Sequence, residues 1–162
     1  MYRIGLGHDT HRLIEGPPLI IGGVHVPHHA GPDAHSDGDV LLHALTDALL
    51  GALALGDIGE LFPDDEPAHA AQNSSVFVQR AMAELKERGW RPVNVDSTIF
   101  AQRPKLYAYK REIAERIAGL LELPQHAVSV KAKTGERVGP IGRQEAIGAD
   151  VVVLIERMER PH

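Results

Sequence analysis

Three side chains in the first quarter of the chain have the types and spacing of a divalent-metal site. Asp9 and His11 stand two apart in Gly5-Leu6-Gly7-His8-Asp9-Thr10-His11, and alternate side chains of an extended strand share one face. His43 follows Ala34-His35-Ser36-Asp37-Gly38-Asp39 and falls one turn inside an apolar run, residues 40–53, that reads as a helix. One carboxylate and two imidazoles are a donor set that holds catalytic zinc with a fourth position open to substrate or water. The same spacing also fits a hydrogen-bonded carboxylate–imidazole pair beside an unrelated helix histidine, and spacing alone leaves both readings open.

Delivering those ligands requires a strand and a helix, and the pattern supplies both. Residues 2–14 read as a strand, and residues 19–26 as a hairpin turning on two glycines. Residues 27–33 read as a solvated loop whose His28 and His29 have no assigned role. Ser36, with Asp39 three positions on, suggests a capping box and a helix starting there, with its free amides beside His35 and Ser36. Asp39, His43 and Asp47 form a polar stripe at helical spacing, so one of the two aspartates is expected to orient the imidazole.

Residues 56–75 are acidic and contain two prolines, and they read as a loop. A helix follows from Asn73 or Ser74 with Phe77, Ala81, Met82 and Leu85 inward, then a strand over residues 93–101. Pro104 is expected to open a third helix burying Ile113, Ile117, Leu120 and Leu121. Val128, Val130 and Ala132 alternate with Ser129, Lys131 and Lys133, which puts both lysines on one face of a strand. A glycine-rich loop, residues 134–148, leads to a last strand over residues 150–158. Its unbroken Val151-Val152-Val153-Leu154-Ile155 suggests burial on both faces, one of them against another subunit. The fold class is α+β: a mainly four-stranded mixed sheet with helices on one face and a small added hairpin.

At 162 residues the chain is expected to form one domain, 1–162. A net charge of −5 and a pI near 6.0 give no electrostatic footprint for nucleic acid or an anionic membrane. There is no cysteine, so any transition metal must use histidine and carboxylate. No apolar run approaches the ~18 residues of a membrane span, and the start does not resemble a signal peptide. A cytoplasmic protein acting on a small soluble substrate is expected.

Several separate motifs, in order along the chain, resemble those of the 2-C-methyl-D-erythritol 2,4-cyclodiphosphate synthase family. They are residues 3–11, residues 34–43, Leu55-Gly56-Asp57-Ile58-Gly59 with Phe62-Pro63-Asp64, Ala101-Gln102-Arg103-Pro104-Lys105, residues 131–136 and Gly142-Arg143. The resemblance implies release of CMP from 4-diphosphocytidyl-2-C-methyl-D-erythritol 2-phosphate as its 2-phosphate attacks the β-phosphate. It also implies a homotrimer whose sheets face a central axis, with active sites between subunits.

By the same resemblance, one Zn²⁺ per subunit is held by Asp9, His11 and His43, and Mg²⁺ or Mn²⁺ by Glu136 with the substrate diphosphate. Asp9 and His11 also border the substrate. His35 and Thr134 would stabilise the developing charge, and Ser36 would hold the attacking phosphate. Asp57, Ile58, Gly59, Phe62, Asp64 and Asp65 would meet the methylerythritol. Residues Ala101, Gln102, Arg103, Pro104, Lys105, Leu106 and Tyr107 would bind cytidine, with Lys105 reaching a phosphate. Lys133, Gly135 and Arg143 complete the implied contacts, and Gly135 lies in the Thr134–Glu136 loop. Lys133 replaces a common threonine, and Pro140 a phenylalanine that often lines the trimer's cavity.

Two other classes are compatible with the residues. One is a zinc-dependent phosphodiesterase or hydrolase on a nucleotide diphosphate, with water as nucleophile. The other is a trimeric binding protein whose metal is structural and whose site is closed by a fourth ligand.

Overall fold

The computed structural model describes residues 1–62 and 73–159. The chain order is β1 (Tyr2–Glu15), β2 (Leu19–Ile21), β3 (Val24–Val26), β4 (Ala30–Pro32), α1 (Val40–Ala52), α2 (Ile58–Leu61), α3 (Ser75–Glu87), β5 (Trp90–Phe100), α4 (Lys110–Leu121), β6 (Val128–Lys133), α5 (Gly139–Gly142) and β7 (Ala146–Arg157). Five strands form a mixed sheet in the order β4-β1-β7-β5-β6, and β2 and β3 make a separate hairpin. Among the described strands, only the β5–β6 pair is parallel. The expected α+β class holds, with five strands rather than four. The extra one, β4, lies in the stretch read as loop and pairs antiparallel with the end of β1, Leu13 opposite Pro32.

Helix α1 is the centre of the core. It is apolar on nearly every side, and from Val40 to Leu50 all but His43 and Asp47 are buried, as expected for a helix covered all round. It packs across β1 and β7 and against α3. Its approach to β1 depends on two glycines, because a side chain on Gly5 would meet the Ala48 carbonyl oxygen at 1.8 Å and one on Gly7 the Ala44 oxygen at 1.8 Å. Helices α3 and α4 cover the same sheet face through β5 and β6, burying Val78, Leu85, Ile113 and Ile117.

Several boundaries differ from the sequence reading: β5 starts at Trp90 rather than Val93, and the short helix α2 lies within the acidic stretch expected as loop. Helix α1 starts at Val40, and its cap is Asp39 rather than Ser36, since Gly38 turns the chain at φ 66° and brings the Asp39 carboxylate onto the Leu42 amide. The helix expected from Pro104 begins at Lys110, after a short 3₁₀ turn at Tyr107–Tyr109. Within the expected glycine-rich loop lie α5 and the start of β7.

The last strand is not buried on both faces of the single chain. Val151, Val153 and Ile155 point into the core while Val152 is 44 % exposed. On the neighbouring β1, Ile4 is 72 % and Leu6 69 % exposed, opposite Leu154 and Val152 in the antiparallel register. One face of the sheet is thus helix-covered, and the other presents an uncovered apolar patch.

Candidate metal and substrate site

Residues 5, 7, 9 and 11 of β1 face α1. The two glycines admit the helix, and the two larger side chains then reach past its first turn toward His43. The Asp9 carboxylate Oδ2 lies 3.0 Å from His11 Nε2 and 3.1 Å from His43 Nδ1, and the two ring nitrogens are 3.2 Å apart. Three donor atoms in a near-equilateral triangle match one face of a tetrahedron with metal–ligand bonds of about 2.0–2.1 Å, whose edges are about 3.3 Å. No other group of three histidine or acidic side chains converges in this way among the described residues. Two imidazole nitrogens and a carboxylate oxygen suit zinc or a similar borderline ion, so the residues fit the metal the sequence reading placed there.

Electrostatics agree. Burial works to raise the Asp9 pKa, but hydrogen bonds and charge from His11 and His43 hold this carboxyl well below the ordinary range. It therefore stays ionised. All three groups are partly buried, with side-chain exposures of 26, 17 and 12 % for Asp9, His11 and His43.

The far nitrogen of His43 finds partners other than those expected. Its Nε2 is 2.8 Å from Ser74 Oγ and 3.3 Å from Ser36 Oγ, and its ring contacts Phe77, which packs at a tilt against Phe62. Neither the Asp39 nor the Asp47 carboxylate hydrogen-bonds to that ring. Asp39 is fully buried and accepts from the Gly22, Gly23 and Leu42 amides at 2.9, 2.7 and 3.0 Å, which ties the β2–β3 turn to the helix start. Asp47 accepts from the Ile58 amide at 2.7 Å. Burial pushes the Asp47 carboxyl up, and the Asp57 and Asp9 charges add to this against the Ile58 hydrogen bond. The stripe misled because both aspartates are consumed in holding backbone.

Asp57 caps α2 and accepts from the Glu60 amide at 3.0 Å, so Asp57, Ile58, Gly59 and Phe62 form one short turn anchored through Asp47 beside the triad. Asp64 and Asp65 lie outside the described residues. His35 is exposed and Ser36 partly so, just ahead of α1.

A second group of expected residues gathers at the ends of β5 and β6. A cavity of about 230 Å³ is lined by Ala101, Gln102, Pro104, Lys105, Leu106, Tyr107, Lys110, Ala132, Lys133 and Thr134; Arg103 lies in the same turn. Thr134 Oγ1 donates to Glu136 Oε1 at 3.1 Å and accepts from the Glu136 amide at 3.2 Å. Glu136 and Arg137 both have positive φ, 50° and 63°. The tight bend is closed by the Arg137 amide donating to Gln102 at 3.2 Å and by Gly135 packed on the Gly142 backbone.

Lys133 carries no ion pair among the described residues, whereas Lys131 is bound to Asp96 at 2.7 Å. Arg143 is engaged with Glu145 through two nitrogens, at 2.8 and 3.2 Å. Asp9 and Phe100 are at neighbouring registers across β7. The triad and the cavity therefore sit at the same end of the sheet, but β1 and β6 are three strand spacings apart, roughly 14 Å.

The model of the YgbB family matches residues 2–156. The chain is 51 % identical over 157 residues to a 2-C-methyl-D-erythritol 2,4-cyclodiphosphate synthase of Dechloromonas aromatica (strain RCB), covering 97 % of this chain and 98 % of that protein. A synthase of the same name from Chromobacterium violaceum is 53 % identical over 155 residues, covering 96 % and 98 %. Among solved structures, a 2C-methyl-D-erythritol-2,4-cyclodiphosphate synthase in its CDP-bound form superposes with a TM-score of 0.89 at 40 % identity, covering 95 % of this chain and all of that one.

Proposed function

The chain belongs to the YgbB family, and we propose from that membership and from its site that it carries out the family's cyclisation. It converts 4-diphosphocytidyl-2-C-methyl-D-erythritol 2-phosphate to 2-C-methyl-D-erythritol 2,4-cyclodiphosphate with release of CMP. The observation that carries the mechanism is the 3.0–3.2 Å triangle of the partly buried Asp9, His11 and His43. In this reading those residues hold Zn²⁺. The bound ion would supply Lewis-acid polarisation of the phosphorus under attack.

Phosphoryl transfer asks a protein mainly for positioning and charge stabilisation. Ser36 and the exposed His35, ahead of the α1 N-terminus, bind the attacking 2-phosphate and hold it in line. Intramolecular attack can then gain on the order of 7–11 kcal/mol over a free nucleophile. Thr134 donates to the charge building on the diphosphate, as His35 does from the other side. Glu136 offers the hard oxygen that a diphosphate-bound Mg²⁺ or Mn²⁺ prefers. Lys133 and Lys105, which carry no ion pair among the described residues, neutralise phosphate oxygens at the cavity mouth. The backbone of residues 101–107 reads the cytosine, and Asp57 to Gly59 with Phe62 meet the methylerythritol.

The working form in this reading is a homotrimer. What supports it is the uncovered patch of Ile4, Leu6 and Val152, whose contiguous apolar surface suits burial against further copies of the chain, and the separation of triad and cavity on one chain. A neighbouring copy would bring its cavity to the triad. Phosphorus–oxygen lyase chemistry and action in the cytoplasm belong to the same proposal.

The test is product identity with labelled solvent. Incubated with the cytidyl substrate in H₂¹⁸O, the protein is expected to yield CMP and the cyclic diphosphate by ³¹P NMR, with no ¹⁸O in either. Label in a phosphate would turn the assignment to the hydrolase alternative, which shares the metal site but uses water.

A further inference from the structure

We propose that Asp37 and Ser74 are positioning residues that keep the proton of His43 on Nε2, so that Nδ1 faces the metal with its lone pair. The inference rests on the metal reading of the triad. It concerns two residues outside every role assigned above.

The hydrogen-bond direction follows from the partners. Ser74 is fully buried. Its hydroxyl makes a short hydrogen bond to Asp37 Oδ1, and its main-chain N–H donates to Asp37 Oδ2 at 2.9 Å. A carboxylate only accepts, so the Ser74 hydroxyl hydrogen is committed to Asp37. At 2.8 Å from His43 Nε2 the Ser74 oxygen can then only accept, and Nε2 must be the donor. An imidazole with its proton on Nε2 leaves Nδ1 bare, and Nδ1 is the atom that meets Asp9 and His11 at 3.1 and 3.2 Å.

Ser36 is the competitor, since a hydroxyl donating to Nε2 would put the proton on the wrong nitrogen. It stands farther off, at 3.3 Å, and its oxygen already accepts from the Gly38 amide at 3.2 Å. Asp37 is itself held by the Asp39 amide, which donates to Oδ1 at 3.1 Å. The carboxylate–hydroxyl–imidazole chain thus runs from the turn before α1, through the start of α3, to the ligand.

Partners of this kind typically contribute 10- to 100-fold to metal affinity. Zinc dissociation constants are measured by chelator competition for the wild type, Ser74→Ala, Asp37→Asn, the double variant and Ser74→Thr, with thermal melting to confirm folding. Each of the first two variants is expected to bind zinc about 10- to 100-fold more weakly. The double variant should be no worse than the weaker single, because both act through one hydrogen bond. Ser74→Thr, which keeps the hydroxyl, should stay near wild type. In the zinc-loaded wild type the His43 Nε2–H resonance should be slowly exchanging, and in Ser74→Ala it should be lost.

Should Ser74→Ala not fold, the near-isosteric Asp37→Asn carries the same affinity measurement. Wild-type zinc affinity in the variants, or losses that multiply in the double variant, would overturn the relay while leaving the metal site standing. A wild type that takes up no zinc would overturn the metal reading itself.

Discussion

The triad and the Thr134–Glu136 loop contribute to one proposed reaction, yet they are built in opposite ways. Asp9, His11 and His43 project from a strand and a helix pressed together over two glycines, and the far side of the His43 ring is hydrogen-bonded and packed. Thr134 and Glu136 are exposed, on a loop bent by two positive-φ residues, and they bond chiefly to each other. A metal with fixed coordination geometry needs ligands set before it arrives, and a packed interface supplies that. A diphosphate brings its own charge, so polar groups on a well-anchored backbone suffice to receive it. The triad should therefore respond to changes in packing, and the loop to changes in charge.

The sharpest way to break this contrast is Gly7→Val. Its side chain would collide with the Ala44 backbone, which cannot yield as a flexible side chain would, so α1 must lift. Zinc, activity and several kcal/mol of stability should go together, read by elemental analysis and thermal melting. A folded, zinc-loaded Gly7→Val protein would show that the close approach is not what sets the triad.

His43→Ala should remove most of the zinc, expected at about one per chain in the wild type, along with turnover, while the helix signal in circular dichroism stays. Full zinc in that variant would refute the ligand assignment.

Asp39→Asn tests the anchor of α1. Asparagine has one acceptor oxygen, and its amide would face the Gly23 N–H, so the loss should be about 2–3 kcal/mol in denaturant titration. Burial pushes this carboxyl up to about 6, against the three amide hydrogen bonds and with the Asp37 charge adding to the rise. The sign follows from linkage: between its ordinary value and 6 the folded protein binds more proton than the unfolded chain. This group's contribution therefore falls as pH rises through that window, by up to about 3 kcal/mol. The variant should lose that slope.

Glu136→Gln should cost turnover at least about tenfold, equivalent to 1.4 kcal/mol, with no change in product, zinc content or melting temperature. A large drop in melting temperature would place the loop in the packed class with the triad.

How much of this was legible in the sequence follows from the range of the interactions involved. Period-two spacing on β1 exposed Asp9 and His11 as a pair, and the helix placed His43, because both signals are local. Ser74 and Asp37 were not visible, since a small polar residue at the start of a helix or in a turn looks like a cap whatever distant group it touches. The role expected of Asp39 failed for the same reason: its true donors, Gly22 and Gly23, lie on another element. Which valines of the last strand meet the helices, and which stand on the face expected to meet another subunit, is decided by register, and an unbroken run does not reveal it. The structure puts Val153 inside and Val152 outside. A charge meant to disrupt assembly therefore belongs at Val152, since Val153→Asp would strike the core. Strand β4, three residues ending in proline, is too short to announce itself by alternation.

The sheet joins the two ends of the chain: β1 pairs along nearly its whole length with β7, Tyr2 opposite Glu156 and Arg12 opposite Ala146. During synthesis, at roughly 5–20 residues per second, the first strand therefore waits on the order of 10–30 s for its partner to emerge. Until then its backbone edge and its Ile4 and Leu6 side chains stand open beside whatever nascent chain or chaperone is near. Folding is gated by the emergence of β7, so a truncation that removes that strand should leave a product that aggregates rather than a smaller stable core.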